Sequence, residues 1–159
     1  MTKLTKILIT HHDHDHMGAL ADFKQKYPHV KIVASEIEAP YIEGEKKSVR
    51  LEQAEALQNT QNEEQKSFGE AFCEILKSVK PAKVDILVHD GDVMNWCGGC
   101  EIVSTPGHTP GHISLYIKNK KTFITGDAVA LENNQLVMAN PQFTLDMENA
   151  HKSISQLQS

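Results

Sequence analysis

The first part of the chain alternates between short apolar runs and polar clusters. Residues 4–10 are mostly apolar or β-branched, which predicts a short buried strand. Residues 18–27 have the pattern of a short helix that ends before Pro28, because the residue before a proline disfavours helical backbone. Residues 30–34 return to strand-forming types. This strand, loop, helix and strand order is typical of the α/β class, which we therefore predict.

The middle of the chain changes to a helical pattern. Residues 48–79 contain two apolar faces separated by a segment rich in Asn, Gln and Glu, which predicts a helical pair. On the second of these faces, core packing is the expected role of Phe68 and Phe72. Tyr41, Phe68 and Phe72 are alternatively candidates for lining a pocket.

Strands and one more helix are predicted in the remainder. The strands are expected over residues 84–89, 101–104, 112–117 and 122–125. Thr144 is expected to cap a last helix. The apolar face of that helix would consist of Met147, Ala150, Ile154 and Leu157. Because we find no repeat or linker, residues 1–159 are predicted to form a single domain.

Composition narrows the classes of partner. The chain carries 16 basic and 21 acidic residues, a net charge of −5, and no stripe of Lys or Arg that could neutralise phosphates, so nucleic acid is not an expected partner. Three cysteines do not form the framework of a disulfide-rich secreted domain. The start of the chain lacks the apolar core of a signal peptide, and no apolar run approaches the roughly 18 residues that cross a bilayer. We therefore expect a cytoplasmic protein that acts on a small molecule.

A run of metal-binding residue types follows the first predicted strand. Residues 11–16 read His-His-Asp-His-Asp-His, and burying all of them without partners would be costly, so they need water or a metal. Imidazole and carboxylate donors suit zinc, and also manganese, iron or cobalt. Because alternate residues of an extended loop point the same way, His11 and Asp13 can converge on one ion, and Asp15 and His16 can turn toward a second. The alternative is a surface loop that binds metal incidentally.

Two later features favour a metal site over a surface loop. His108 lies in the Pro- and Gly-rich segment 104–112 between two predicted strands, where a rigid backbone can aim one imidazole. Asp127 directly follows another predicted strand, and Gly126 before it permits a close backbone approach.

These segments resemble three motifs of the metallo-β-lactamase superfamily. Residues 10–18 resemble its first metal motif, T-H-x-H-x-D-H-x-G. Residues 105–112, T-P-G-H-T-P-G-H, and residues 125–127, T-G-D, resemble two further motifs in the same order. The resemblance covers nearly the whole chain and is nearest in style to glyoxalase II-like hydrolases and lactonases. It implies an αββα sandwich that is incomplete in one chain.

The resemblance also implies a role for six side chains. His11, Asp13 and His108 would hold the first metal, Asp15 and His16 the second, and Asp127 both. His12 and His14 fall at variable positions of the motif, where their side chains would point away, and His112 would be structural.

The implied activity is hydrolysis. A metal-bound hydroxide would attack a small ester, thioester or lactone, and Asp15 would orient this nucleophile and pass its proton to the leaving group. One alternative is a degenerate or fragmentary member that binds metal without significant turnover. Another is a phosphodiesterase of the same fold, which the acidic charge disfavours.

The sequence departs from the family pattern in two respects. Asp13 stands where the motif has its second histidine, so zinc remains the first expectation but manganese or iron gains in preference. The family has several strands before the first motif and a further metal-binding histidine after the last helix, and neither is present here. His151 lies inside the predicted helix and is not given that role. We expect a homodimer that covers the exposed strand edges, or a fragment of a longer protein.

The cysteine pair Cys97 and Cys100 has the spacing of redox and metal motifs. A hairpin is the favoured interpretation, with Gly98 and Gly99 as its turn and the two cysteines as cross-strand neighbours. Cys73 is expected to be a small core residue.

Overall fold

A parallel sheet with helices on one face begins the fold. The computed structural model describes residues 4–58 and 63–158, the side chains of residues 63–65 excepted. The first elements are β1 (Lys6–Leu8), α1 (His14–Met17), α2 (Leu20–Lys26), β2 (Lys31–Ser35) and α3 (Ala39–Ile42). Strand β3 (Ile86–Val88) completes a parallel sheet in the order β1-β2-β3. The α/β prediction is confirmed, although helix α1 begins inside the polar cluster and not after it.

A second, antiparallel sheet faces the first one. Its strands are β4 (Val93–Met94), β5 (Cys100–Ser104), β6 (Ile113–Ile117) and β7 (Thr122–Ile124), in the order β4-β5-β6-β7. Alternate residues of its central strands point toward the first sheet and form one core with it. That core consists of Val33, Val88, Cys100, Ile102, Ile113, Leu115 and Ile117.

A separate apolar core lies between the first sheet and its helices. It includes Met17 and Leu20 from the helices and Ile32 and Ala34 from β2. The parallel sheet is therefore buried on both faces, as parallel sheets usually are.

The predicted helical pair is present as α4 (Val49–Gln58) and α5 (Glu63–Ser78), which pack against each other. Cys73 of α5 is buried as predicted. Core packing of Phe68 is wrong, because this side chain is 79% exposed.

A hairpin that the sequence patterns did not indicate follows the second sheet. Strands β8 (Val129–Glu132) and β9 (Gln135–Met138) are joined through Asn133 and Asn134, which adopt φ values of 50° and 61°. Asparagine tolerates this left-handed conformation better than most residues, which permits the tight turn. Helix α6 (Met147–Gln158) covers the hairpin through Ala150 and Ile154.

The predicted cap of α6 is wrong by two residues. The Oδ1 atom of Asp146 accepts a hydrogen bond from the backbone N–H of Asn149 at 2.9 Å, which is the geometry of an N-cap. The hydroxyl of Thr144 instead donates to the carbonyl of Asn140 at 3.3 Å in the preceding turn.

The predicted cysteine hairpin is also wrong. Cys100 pairs with Met94 across β4 and β5, so the connection includes residues 95–99 and not two glycines alone. Cys97 lies in that connection with φ 52° and is exposed, whereas Cys100 is buried, and both are free thiols. Among the described helices, none is long and apolar enough to cross a bilayer.

Candidate metal centre

The predicted metal ligands come from three loops that meet where strands of the two sheets end. The first loop follows β1, the second joins β5 to β6, and the third is the turn at residues 126–128 after β7. The carbonyl of Thr10 accepts a hydrogen bond from the N–H of Ile113 at 3.1 Å, which joins the first loop to β6. Residues that are far apart in sequence are therefore brought to one edge of the sandwich.

Five of the six predicted ligands form one compact cluster. The Nε2 atom of His108 lies 3.1 Å from Oδ2 of Asp13 and 3.6 Å from Oδ2 of Asp127. The Nε2 atom of His16 lies 3.4 Å from Oδ1 of Asp127. The Nε2 atom of His11 lies 3.8 Å from Oδ2 of Asp13, and the His11 and His16 ring centroids are 4.1 Å apart.

The donor set fits a divalent metal. His11, His108 and Asp127 each offer a ligand atom, and these atoms all lie within 4.8 Å of one another. Within the described part of the chain, no hydrogen-bond partner is found for three buried atoms: Nε2 of His11, Oδ1 of Asp13 and Nδ1 of His108. Buried polar atoms without partners are costly, and a cation satisfies imidazole lone pairs and carboxylate oxygens together.

Asp15 stands apart from this cluster, at its mouth. Its side chain is 62% exposed, and its Oδ2 atom lies 3.8 Å from Nε2 of His16. It lines a cleft of about 130 Å³ together with Asp13, His108 and Asp127. The structure therefore brings five predicted ligands together and leaves Asp15 where it can contact a bound molecule.

Electrostatics keep most of the donors in their metal-binding forms. Burial, with the nearby His112, lowers the pKa of His11 to about 2, so this imidazole is neutral. The contact between His16 and Asp127 lowers the pKa of Asp127 to about 2 and raises the pKa of His16. A raised pKa favours the protonated ring, so a proton competes with a metal for His16.

Arg50 is a residue of this site that the sequence patterns did not identify. Its Nη2 and Nε atoms lie 2.8 Å and 3.3 Å from Oδ2 of Asp13, and both side chains are buried. Although burial opposes the shift, hydrogen bonds from His108 and Arg50 hold the pKa of Asp13 below its usual range. The available signal was that Arg50 is the only arginine in the sequence and shares a helical face with Ala54 and Leu57.

Glu38 is the second residue that the patterns missed. It is fully buried, and its Oε2 atom accepts hydrogen bonds from the ring and the backbone N–H of His12. Its Oε1 atom accepts from the hydroxyl of Thr109 and the backbone N–H of Gly111, both at 2.8 Å. One carboxylate thus joins the first metal-site loop to the second. His12 points away from the cluster, as predicted.

His14 and His112 also have identifiable roles. His14 lines the mouth of the cleft, where its ring lies edge-on against Phe72 at 5.7 Å between centroids. The Nε2 atom of His112 accepts a hydrogen bond from the backbone N–H of Asp127 at 3.1 Å, so its proton resides on Nδ1, which donates to the hydroxyl of Thr105 at 2.9 Å. Both ring nitrogens of His112 are therefore occupied, which fits a structural role.

Two glycines permit the loops to approach closely. A Cβ atom on Gly126, which has φ 51°, would lie 2.7 Å from Nε2 of His112. A Cβ atom on Gly107, which has φ 136°, would lie 2.4 Å from the backbone nitrogen of Ala150 in α6. Larger residues at either position would displace the His108 or Asp127 loop.

Comparison with known proteins identifies relatives of the whole arrangement. A family model described as the metallo-beta-lactamase superfamily matches residues 2–158. The chain is 27% identical to the "Probable metallo-hydrolase YflN" of Bacillus subtilis, over 98% of this chain and 60% of that protein. It is 30% identical to the hydroxyacylglutathione hydrolase of Rhodopseudomonas palustris, over 80% of this chain and 34% of that protein. The chain thus spans less than two thirds of the length of these relatives.

Solved structures share the fold. A metallo-beta-lactamase family protein from Thermus thermophilus matches with a TM-score of 0.68 at 22% identity, covering 96% of this chain and 50% of that one. The protein TTHA1623, solved in a di-iron-bound form, matches with a TM-score of 0.64 at 19% identity, covering 99% and 64%. At these identities the likeness concerns the fold, and it confirms the fold that the three motifs predicted.

Proposed function

The chain belongs to the metallo-β-lactamase superfamily, and on this premise we propose that it is a metal-dependent hydrolase of a small ester, thioester or lactone. The observation that carries the proposal is the convergence of His11, His108 and Asp127 from three separate loops within 4.8 Å. The names of two relatives, a probable metallo-hydrolase and a hydroxyacylglutathione hydrolase, agree with this reaction class.

The ligand assignment follows the superfamily motif, with five of its six residues in the cluster and Asp15 at the mouth of the cluster. His11, Asp13 and His108 would hold one divalent ion, His16 and Asp15 a second, and Asp127 would contribute to both. When bound, such ions supply Lewis acidity and activate water for attack on a carbonyl. Zinc is the first expectation for these donors, and the Asp13 carboxylate also suits manganese or iron.

The protein's own residues would perform the remaining steps. The cleft admits a substrate carbonyl beside His108 and Asp127. Asp15, exposed and adjacent to His16, would accept a proton from the attacking water and return it to the leaving oxygen or sulfur. No serine or cysteine nucleophile is required by this scheme.

A hydrolysis assay with chelator controls tests the proposal. We expect turnover of p-nitrophenyl acetate, an acyl thioester or a lactone that is abolished by chelator and restored by zinc or manganese. Asp15→Asn should lower kcat by about 10² to 10⁴, the usual contribution of a general acid-base group. Turnover that survives complete metal removal would overturn the proposal.

A second candidate is a metal-binding protein without turnover. It is favoured by the difference between the two sites, because Asp15 is exposed and lies 3.8 Å from His16, whereas the first site is buried. Stoichiometric metal binding with no hydrolysis of any of the three substrate classes would support this candidate.

We also propose that the chain forms a homodimer. Strands β1 and β7 each lie at an edge of their sheet, and Leu4, Phe123 and Ile124 expose apolar surface at or beside them. Light scattering coupled to size-exclusion chromatography tests this directly. A folded monomer at all accessible concentrations would contradict it.

A further inference from the structure

An apolar groove of about 520 Å³ lies between helices α4 and α5 and the turn at residues 141–143. Its wall is mostly apolar and includes Ala54, Leu57, Phe68, Phe72 and Phe143. The side chains of Phe68 and Leu57 are 79% and 56% exposed. Large apolar side chains gathered on an exposed surface are a feature of binding sites, and this volume lies in the range of small-molecule sites.

The groove adjoins the cleft in front of the metal ligands. Phe72, Phe143 and Arg50 line both cavities. The cleft continues inward from these three residues to Asp13, His108 and Asp127. A molecule with one end at the candidate metal ligands can therefore extend its other end along the groove.

The near absence of charge in the groove indicates which kind of chemical group can bind there. Among the described residues that line it, Arg50 is the one charged side chain, and its guanidinium is already paired with Asp13. The same guanidinium lies 5.1 Å from the centroid of the Phe143 ring, so it is also engaged with an aromatic side chain of the groove. The other polar side chains of the wall are the amides of Gln53, which accepts a hydrogen bond from Arg50, and Gln142. A charged group would therefore find no unpaired opposite charge among the described residues of this wall, whereas a hydrocarbon chain would be stabilised there.

We infer that the groove holds the apolar acyl arm of the substrate, with the scissile carbonyl at the metal ligands. The substrate class is accordingly an ester, thioester or lactone that carries an apolar acyl chain. This inference rests on the proposed hydrolase function, which fixes the position of the carbonyl. The inference adds a prediction for the acyl arm, which is the part of the substrate that would determine specificity.

The chain offers a matched pair of variants for the test. Phe68 and Ile75 are both exposed apolar residues of α5, with 79% and 51% of their surfaces exposed, but only Phe68 lines the groove. Phe68→Glu places a charge in the groove, and Ile75→Glu places the same charge on the same helix outside it. Neither side chain is part of the buried core, so the variants compare groove chemistry at similar stability.

The measurement is kcat/KM on p-nitrophenyl esters from acetate to decanoate. For the wild type and Ile75→Glu, kcat/KM should rise about fourfold for each added methylene until the groove is filled. In Phe68→Glu the ratio of the decanoate to the acetate value should fall at least tenfold. Chelator-sensitive turnover with a flat chain-length profile would overturn the inference while leaving the hydrolase proposal intact.

A binding measurement tests acyl-chain binding in the groove independently of the proposed hydrolase activity. Calorimetric titration with decanoate should show binding to the wild type and Ile75→Glu, and binding at least tenfold weaker to Phe68→Glu. If no ester is hydrolysed but decanoate binding follows this pattern, the groove binds acyl chains as inferred and the hydrolase proposal is wrong. The inference is overturned if decanoate does not bind. It is also overturned if Phe68→Glu converts a dimer to a monomer without changing the chain-length ratio, since a second copy would then occupy the groove.

Discussion

The guanidinium of Arg50 contacts the carboxylate of Asp13, with Nη2 at 2.8 Å and Nε at 3.3 Å from the same oxygen, Oδ2. Asp13 occupies the position where the superfamily motif has its second histidine, and Arg50 is the only arginine of the chain. The additional negative charge of the first site is thus balanced by a buried positive charge from α4. Because the other oxygen, Oδ1, has no partner among the described residues, it remains available to a metal.

The first prediction concerns Arg50→Gln. Removing one member of a buried ion pair leaves the other charge uncompensated, so the metal-free variant should lose about 3 kcal/mol of stability. Bound metal replaces the missing positive charge, so the loss should be smaller in the presence of zinc. Thermal unfolding with and without zinc measures both values, with Arg50→Lys as the charge-preserving control. An equal loss in the two conditions would show that Asp13 does not face the metal.

The second prediction concerns the pair as a unit. Asp13→His alone should destabilise the protein, because it leaves Arg50 buried without its carboxylate. Adding Arg50→Met should restore stability and increase the share of zinc over manganese and iron in the bound metal, because imidazole ligands favour zinc. Metal analysis after exposure to equal amounts of the three ions reads out the shift. Identical metal content in the wild type and the double variant would contradict this role of Asp13.

The third prediction concerns Glu38, which joins two metal-site loops. Glu38→Gln retains the shape of the side chain but replaces a charged acceptor of four hydrogen bonds, so stability should fall by about 2 kcal/mol. Glu36→Gln provides the control, because the Glu36 side chain is 67% exposed. Urea unfolding of both variants makes the comparison. Equal losses would mean that the Glu38 network contributes nothing beyond an exposed pair.

Much of this arrangement was predictable from local patterns. The residues at 10–18, 105–112 and 125–127 each combine a strand end with donor types that metals prefer, and all three segments meet in the structure as predicted. The strands of the parallel sheet were also predictable, because the runs that form β1, β2 and β3 are mostly apolar, as is typical of parallel strands.

Arg50 and Glu38 were not predictable in the same way. Their sequence neighbours are ordinary helix and loop residues, and their roles depend on contacts with residues 37 and 26 positions away along the chain. The prediction that Phe68 packs in the core was wrong for a different reason. A regular apolar pattern on a helix does not distinguish core packing from an exposed binding surface.

The fourth prediction concerns pH and a site far from the metal ligands. Asp85 accepts hydrogen bonds from Lys24 at 2.7 Å and from the backbone N–H of Ile32 at 2.9 Å, and these bonds lower its pKa. Since the folded-state pKa is depressed, the stabilisation is present above the ordinary value of 3.8 and is lost as the pH falls below it.

Asp85→Asn tests this linkage. The variant should be less stable than the wild type at pH 7 by about 1 kcal/mol, and the difference should shrink as the pH falls below the ordinary pKa of aspartate. Asp22→Asn is the control, because Asp22 belongs to an exposed pair with Lys80 that contributes little. A difference that is constant from neutral to acidic pH would contradict the linkage.

The central claim is that His11, Asp13, Asp15, His16, His108 and Asp127 form a metal centre. Metal stoichiometry tests this claim most directly. Chelator-treated protein is dialysed against zinc, and the bound metal per chain is measured for the wild type, His108→Ala and His151→Ala, with circular dichroism to verify folding. His151 is exposed on α6 and serves as the control histidine. We predict at least one tightly bound ion in the wild type and in His151→Ala, and its loss in folded His108→Ala. Equal zinc content in all three proteins, or no bound zinc in the wild type, would contradict the claim.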